Sequence, residues 1–224
     1  KGLSTSVGDE GGFAPMISNN NQALDLIVSA IKKSGFINGK DVSICLDVAA
    51  NELYKNKKYS IHSKSYISVD KSIKEYQKII KKYKIKSIED PFGENDWIAW
   101  NKLMKSIKKV QIVGDDLYVT NLERLKTGFL NISSNSILIK LNQIGTVSET
   151  LDVIKFAQTI GYKTIISHRS GDSEDTFIAD LAVGTNSNQI KTGSLARSER
   201  VAKYNQLIRI EEELGKKAKM NKIN

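Results

Sequence analysis

The sequence contains few of the residues that are typical of secreted or membrane proteins. Its one cysteine, Cys45, cannot form a disulfide within the chain, so a reducing, cytosolic setting is expected. Cys45 lies in the apolar run V-S-I-C-L, where we expect a small buried side chain. No apolar stretch reaches the roughly 18 residues that a membrane-spanning helix needs, and no signal peptide is expected.

Arginine is also scarce, although the chain is basic. The net charge is +9, but 29 of the 34 basic residues are lysine. The lysines are spread along helical segments such as 71–86 and 101–109. A nucleic-acid surface would require arginines clustered with aromatic residues or a recognisable base-reading motif. We therefore expect no nucleic-acid partner.

The start of the chain indicates a larger protein. Lys1 leads directly into the glycine-rich stretch G-L-S-T-S-V-G-D-E-G-G, which is unlike the beginning of a complete protein. Apolar residues make up 40% of the 224 residues, enough for a sizeable core. We expect one domain over residues 1–215 and a polar tail over residues 216–224.

The most informative segment runs from Ser136 to Glu149. An apolar run, I-L-I, stops at Lys140, and Thr146 and Glu149 then form a capping box that opens an amphipathic helix. This order predicts a parallel strand, a loop and a helix, with Lys140 at the carboxyl end of the strand, where ligands bind in such folds. A single lysine there could simply extend into solvent.

Repetition favours the functional interpretation. Six apolar runs in succession deliver titratable residues at their carboxyl ends: Asp47, Glu89-Asp90, Asp115-Asp116, Lys140, His168-Arg169 and Lys191. Strands alternate with helices, and no dinucleotide-binding glycine motif follows any strand. The pattern predicts an α/β fold of the (β/α) TIM-barrel type, incomplete because about six of the eight units are present.

Three of these residues suit a metal ion. Asp47, Glu89 and Asp115 offer hard oxygen ligands without cysteine or clustered histidine, a set that selects Mg²⁺. The alternative is a buried ring of ion pairs with Lys140 and Lys191. Such a ring would carry a large desolvation cost and stabilise the fold poorly, which favours the metal site.

Lys140 would act as a base beside such a metal. The positive charge of Mg²⁺ would lower the lysine pKa from about 10.4 to between about 7 and 8, a change equivalent to about 4 kcal/mol. The corresponding reaction is removal of a proton next to a carboxylate. Glu10 lies in the glycine-rich segment G-D-E-G-G-F-A-P, which allows the backbone to approach a ligand closely.

Taken together, the motifs resemble the enolase family. The resemblance runs from Val7 to Gly215, in order and at matching spacing, through these segments: G-D-E-G-G-F-A-P, S-I-E-D-P-F, V-G-D-D-L-Y-V-T-N, L-I-K-L-N-Q-I-G, S-H-R-S-G-D-S-E-D, Q-I-K-T-G and R-S-E-R-V-A-K-Y-N-Q-L-I-R-I-E-E-E-L-G. It implies the enolase-superfamily barrel and Mg²⁺-dependent conversion of 2-phosphoglycerate to phosphoenolpyruvate.

The resemblance also implies catalytic and metal-binding roles. Lys140 resembles the base that removes the C2 proton, and Glu10 resembles the acid that assists loss of the C3 hydroxyl. Asp47, Glu89 and Asp115 resemble the ligands of the first of two Mg²⁺ ions.

Further residues resemble the substrate-binding groups of the family. Lys191 would hold the substrate carboxylate, and His168 belongs to a loop that closes over substrate. Arg169 and Ser170 resemble phosphate ligands. Asp116 and Asn142 would support these groups from behind.

Two departures from the family are visible. Asn51 stands where a small serine is common after A-A. The family's N-terminal α+β domain and first two barrel strands are not in this sequence, and with them go a second catalytic glutamate, a substrate-facing histidine and part of the second Mg²⁺ site. The resemblance implies a homodimer or octamer for the complete protein. His62 has no assigned role.

Other interpretations stay open. The chain could be a non-catalytic fragment, or a surface module that binds host proteins through its lysines, although it ends in Asn224 rather than lysine. It could also belong to another dehydratase or epimerase of the same superfamily. The segment S-H-R-S-G favours a phosphorylated substrate over that last alternative.

Overall fold

The structure of the chain is a computed structural model, which describes residues 2–61, 65–187 and 189–221. His62, Lys1 and Asn224 lie outside these residues. The chain divides into two compact units. Unit 1 comprises Lys1–Met16 and Ile137–Asn224, and unit 2 comprises Ile17–Ser136.

Strands and helices alternate along most of the described chain. The strands are β1 (Cys45–Asp47), β2 (Tyr54–Lys55), β3 (Lys58–Tyr59), β4 (Ser87–Glu89), β5 (Gln111–Gly114), β6 (Ser136–Ile139), β7 (Lys163–Ser167) and β8 (Gln189–Lys191). The helices are α1 (Asn20–Lys33), α2 (Val69–Tyr83), α3 (Trp97–Ser106), α4 (Leu122–Leu130), α5 (Leu141–Ile144), α6 (Val147–Thr159), α7 (Phe177–Gly184) and α8 (Ser198–Leu214). A short 3₁₀ turn, Gly215–Lys217, follows α8.

Unit 2 is built on the parallel strands β1, β4 and β5, hydrogen-bonded in that order. The register places Asp47 level with Glu89, and Glu89 level with Val113. Helix α2 begins at the cap Ser68, whose side chain accepts a hydrogen bond from Lys71 N. Its apolar face is buried at Ile73, Tyr76 and Ile79, each contributing about 1.5–3 kcal/mol by removal from water.

Unit 1 contains the parallel strands β6, β7 and β8, again in chain order. Helix α6 starts at Thr146, whose hydroxyl accepts from Glu149 N at 3.2 Å and donates to the Glu149 carboxylate at 2.6 Å. Helix α8 stops at Gly215, which has a φ of 52°. The short helix α5, directly after Lys140, was not expected from the sequence.

The six parallel strands confirm the predicted fold class. Each βα repeat runs in the same direction, as in six of the eight units of a TIM-type barrel. The small antiparallel hairpin β2–β3 follows β1. Within the described ranges, no helix combines the length and the apolar character needed to cross a membrane.

The prediction for Cys45 was wrong. Its side chain is exposed rather than buried. Among the described residues, strand β1 has a hydrogen-bonded partner strand on one side only. A strand whose sequence is apolar throughout can therefore still expose a side chain.

Candidate active-site residues

Each parallel strand carries its titratable residue where the sequence predicts it. Asp47, Glu89 and Lys191 are the last residues of β1, β4 and β8. Asp115, Lys140 and His168 follow directly after β5, β6 and β7. The three carboxylates therefore lie in unit 2, and the two lysines and the histidine lie in unit 1.

In unit 2, several non-glycine residues have left-handed backbone conformations just beyond the strand ends. Ala49 follows β1 with a φ of 46°, Asp90 follows β4 with a φ of 42°, and Val119 and Thr120 follow β5 with φ values of 45° and 54°. Such conformations cost about 1–3 kcal/mol each for residues that carry a Cβ atom. Their position next to Asp47, Glu89 and Asp115 is typical of a functional site.

Asp90 joins two of these strand ends. Its Oδ1 accepts a hydrogen bond from Asp115 N at 2.9 Å, and its Oδ2 accepts one from Asp116 N at 2.8 Å. Burial raises the pKa of the Asp90 carboxyl to about 7; the two N–H donors oppose that rise, and the charges of Asp115 and Asp116 add to it. Asp90 therefore fixes the backbone that carries Asp115.

Asn51 joins the same region from the β1 side. Its Nδ2 donates to Asp116 Oδ2 at 2.9 Å and to Glu94 Oε2 at 3.3 Å, while its Oδ1 accepts from Glu94 N at 2.9 Å. One side chain thus bridges the loops after β1, β4 and β5. A serine at this position could not reach as far.

The donor set of unit 2 fits a magnesium ion. Residues that are level in a parallel sheet point to the same face, so Asp47 and Glu89 share a face. Val113 is level with Glu89. Side chains alternate along a strand, so Asp115, two residues after Val113, is directed to that same face. Glu89 and Asp115 are 6% and 7% exposed, and carboxylate oxygens without sulfur or imidazole suit Mg²⁺.

A second, partly different trio of carboxylates lies close together. Among the residues that the structure describes, Asp90, Asp115 and Asp116 place one ligand atom each within 4.8 Å of one another. Because both Asp90 oxygens already accept backbone hydrogen bonds, we regard Asp90 as the residue that organises the cluster. The ligand set Asp47, Glu89 and Asp115 stays a prediction.

In unit 1, Glu10 lies next to His168. The distance from His168 Nε2 to Glu10 Oε2 is 3.2 Å. The backbone of Glu10 is fixed by its carbonyl, which accepts from Ser194 N at 2.8 Å. Gly11 permits this approach, since a Cβ atom there would lie 2.4 Å from Ala196 O. His168 N donates to Lys191 O at 3.0 Å, which connects the ends of β7 and β8.

The surroundings of His168 hold the ring neutral. Burial lowers its pKa from the ordinary value; the Glu10 carboxylate opposes this shift, and the positive charges of Arg200 and Lys191 reinforce it. The ring is 3% exposed. A buried neutral imidazole can donate one hydrogen bond and accept one.

The phosphate-ligand candidates lie on the loop after β7. Arg169 is half-buried and Ser170 is exposed. Asp172 orders this loop by accepting from Arg169 N at 3.1 Å and from Ser173 N at 2.7 Å. These two N–H groups, and the ammonium group of Lys203, lower the Asp172 pKa against the opposing effect of its burial.

Sequence reasoning missed Arg200, Asp90 and Asp172 as parts of the site. Arg200 lies in R-S-E-R, a segment used for the resemblance, but nothing in its spacing pointed to His168. Asp90 was visible in the sequence as the second residue of an E-D pair, and Asp172 as the second residue of a G-D pair. Only the fold shows which backbone groups they bind. Lys140 is half-buried at the start of α5.

Comparison with known proteins gives one consistent result. The family model described as "Enolase, C-terminal TIM barrel domain" matches residues 1–224. The enolase of Pelagibacter ubique strain HTCC1062 is 87% identical over 224 residues, which is 100% of this chain and 54% of that protein. The chain therefore spans about half the length of the curated relative it matches.

Proposed function

Because the chain belongs to the family of enolase C-terminal TIM barrel domains, we propose that the complete protein is an enolase. It would be a hydro-lyase that interconverts 2-phosphoglycerate and phosphoenolpyruvate in glycolysis and gluconeogenesis. The observation that carries this proposal is the order of groups at six successive strand ends, with three carboxylates followed by Lys140, His168 and Lys191.

Lys140 is the proposed base. As a neutral amine it would take the C2 proton of 2-phosphoglycerate, and the electrons of the broken C–H bond would move onto the substrate carboxylate. Lys191 would hold that carboxylate, and its ammonium charge would stabilise the negative charge that accumulates there. A Mg²⁺ ion held by Asp47, Glu89 and Asp115 would supply further positive charge at the same carboxylate.

Glu10 is the proposed acid. Loss of the C3 hydroxyl requires a proton, which a protonated Glu10 would donate as water leaves. His168 Nε2 lies against one of the two Glu10 carboxyl oxygens, so the other oxygen can carry the proton. Arg169 and Ser170 would bind the phosphate, with Asp172 holding their loop.

The complete chain is required in this proposal. The chain covers 54% of its relative, and the family resemblance places a second catalytic glutamate and part of the second Mg²⁺ site elsewhere in the protein. We propose that the 224 residues alone are inactive and that the complete protein is a cytoplasmic homodimer or octamer. Its partners would be small molecules and Mg²⁺, and no nucleic acid is expected to bind.

The direct test is phosphoenolpyruvate formation from 2-phosphoglycerate with Mg²⁺. It would compare the complete protein, the 224-residue chain and the complete protein with Lys140→Ala. We expect turnover in the complete protein alone, abolished by chelation and restored by Mg²⁺. An inactive, folded complete protein would refute the proposal and favour a non-catalytic binding role.

A further inference from the structure

Arg200 is one of the most buried charged residues described, with 1% of its side chain exposed. It lies in the first turn of α8 and reaches across to two loop segments. Its Nη2 donates to Asp9 O at 2.9 Å and to Ser170 O at 2.5 Å. Its Nη1 donates to Arg169 O at 2.7 Å and lies 2.7 Å from His168 Nδ1.

The contact between Arg200 and His168 fixes a proton position. A guanidinium group has five N–H donors and no acceptor. Nδ1 of His168 must therefore present its lone pair to Arg200, and it cannot carry a hydrogen. A neutral ring then has its hydrogen on Nε2, the nitrogen 3.2 Å from Glu10 Oε2.

Other charged groups around the ring are consistent with one neutral tautomer. Glu10 and Asp172 favour the protonated ring, whereas Arg200 and Lys191 disfavour it, and burial adds to the latter effect. A second proton on Nδ1 would point at the Arg200 cation at hydrogen-bond distance. The ring thus faces Glu10 as a donor in every state that keeps this geometry.

We propose that Arg200 is a positioning residue that locks His168 in the Nε2–H tautomer and so orients the Glu10 carboxyl for proton donation. The inference rests on the proposed function of Glu10 as the acid. In the opposite tautomer, Nε2 would be an acceptor and would draw the acidic proton of Glu10 away from the departing hydroxyl. With the hydrogen fixed on Nε2 of His168, the acidic proton of Glu10 stays available to the substrate.

The fold provides a fitted space for this arginine. Gly193 has a φ of 85°, and a Cβ atom there would lie 2.6 Å from Arg200 Cδ and 3.0 Å from Glu10 O. Because Gly193 has no side chain, the aliphatic part of Arg200 and the backbone of Glu10 can pack against the loop after β8. Arg200, His168 and Glu10 are thereby held as one assembly.

The test uses the complete protein with ¹⁵N-labelled histidine. Nitrogen NMR distinguishes protonated from unprotonated ring nitrogens, and the His168 signals are those lost in a His168→Gln variant. We expect unprotonated Nδ1 and protonated Nε2 in the wild type. In Arg200→Gln the amide N–H groups would face the carbonyls that Arg200 now binds, which leaves the amide oxygen to accept from Nδ1–H. We therefore expect the Nδ1–H tautomer to appear and kcat to fall about 100-fold, with KM changed much less.

Two further variants distinguish a role of Arg200 in positioning His168 from a role in stabilising the fold alone. Arg200→Lys keeps a donor-only group, so the wild-type tautomer should persist, with kcat within about tenfold of the wild type. Lys203→Gln is the matched control, because Lys203 is also 1% exposed on α8 and donates to Ser173 O and Glu199 O, not to His168. It should lower stability without changing the tautomer.

Several results would overturn the inference. A protonated Nδ1 in the wild type would do so, even if Arg200→Gln failed to fold. So would an unchanged tautomer in folded Arg200→Gln, or the same tautomer change in Lys203→Gln. The NMR measurement does not use turnover, so an inactive wild type would refute the proposed enolase function without deciding the tautomer.

Discussion

The two units use the same βα repeat but organise their strand ends around opposite charges. In unit 2 the buried carboxyl group of Asp90 accepts hydrogen bonds from the backbone N–H groups of Asp115 and Asp116. In unit 1 the buried cation Arg200 collects the carbonyls of Asp9, Arg169 and Ser170. In each unit a charge that would be costly to bury is stabilised by backbone dipoles.

This contrast between Asp90 and Arg200 indicates how one architecture can support two kinds of chemistry. The N–H donors bound by Asp90 fix the backbone that carries Asp115 and Asp116. The acceptors bound by Arg200 fix the loop of Glu10 and the ring of His168, the two groups proposed to control proton transfer. If this division is correct, substitutions in unit 2 should act mainly on Mg²⁺ affinity, and substitutions in unit 1 should act mainly on proton transfer.

The largest effect should come from Lys140→Ala in the complete protein. Removal of the base should lower kcat by about 10⁴-fold, equivalent to about 5.5 kcal/mol. Mg²⁺ affinity, measured by titration calorimetry, should stay within about twofold of the wild type. Activity close to the wild type would disprove the base assignment, and weakened Mg²⁺ binding would break the division between the units.

Asp115→Asn should show the opposite pattern. The amide keeps the shape of the side chain but removes the negative charge, so Mg²⁺ affinity should fall about 100-fold. Calorimetry would measure the affinity, and kcat at saturating Mg²⁺ should recover more fully than in Lys140→Ala. Unchanged Mg²⁺ affinity would exclude Asp115 as a ligand.

Gly193→Ala should destabilise unit 1 without changing any charge. The added Cβ atom would clash with Arg200 and Glu10 O at a backbone position that glycine favours. We expect a loss of about 1–3 kcal/mol in unfolding free energy, measured by urea denaturation of the complete protein. Gly171→Ala is a suitable control, because nothing lies within 4 Å of its added Cβ atom.

Asn51→Ser should have a smaller effect, confined to unit 2. Serine cannot span from Asp116 to Glu94, so the hydrogen bonds of Asn51 are lost, at a cost of about 0.5–1.5 kcal/mol. Mg²⁺ affinity should drop a few-fold, and the tautomer of His168 should not change. An affinity equal to that of the wild type would show that the bridge does not influence the metal ligands.

The smallest effect should be the contribution of His168 to pH-dependent stability. Its pKa is lowered in the folded state, so below pH 6.5, about the value of an unfolded histidine, the unfolded chain binds more protons than the folded chain. Stability should fall as the pH drops from 6.5 towards the folded-state pKa and then level off. In His168→Gln this component should vanish, as measured from thermal unfolding at several pH values. An identical pH profile in wild type and variant would contradict a neutral buried ring.

The sequence was sufficient to predict the titratable residues at the strand ends, but not the residues that position them, such as Arg200. Apolar runs that stop at Asp47, Glu89 or Lys140 are local patterns, and parallel strands bring their carboxyl ends to one edge. Arg200 contacts Asp9 from 191 residues away, and no periodicity connects the two. Cys45 was misassigned because its exposure depends on which strand lies at an edge.

The long-range contacts of Arg200 also have a consequence for synthesis on the ribosome. Residues 17–136 form unit 2, and every hydrogen bond described within it can close once residue 136 has emerged. The Glu10 loop, made before unit 2, has its partners in Ser194 and Arg200, which are translated only after β8. A nascent chain can therefore assemble its carboxylate cluster during translation, but the Glu10 loop gains its contacts with Ser194 and Arg200 only after α8 has left the exit tunnel.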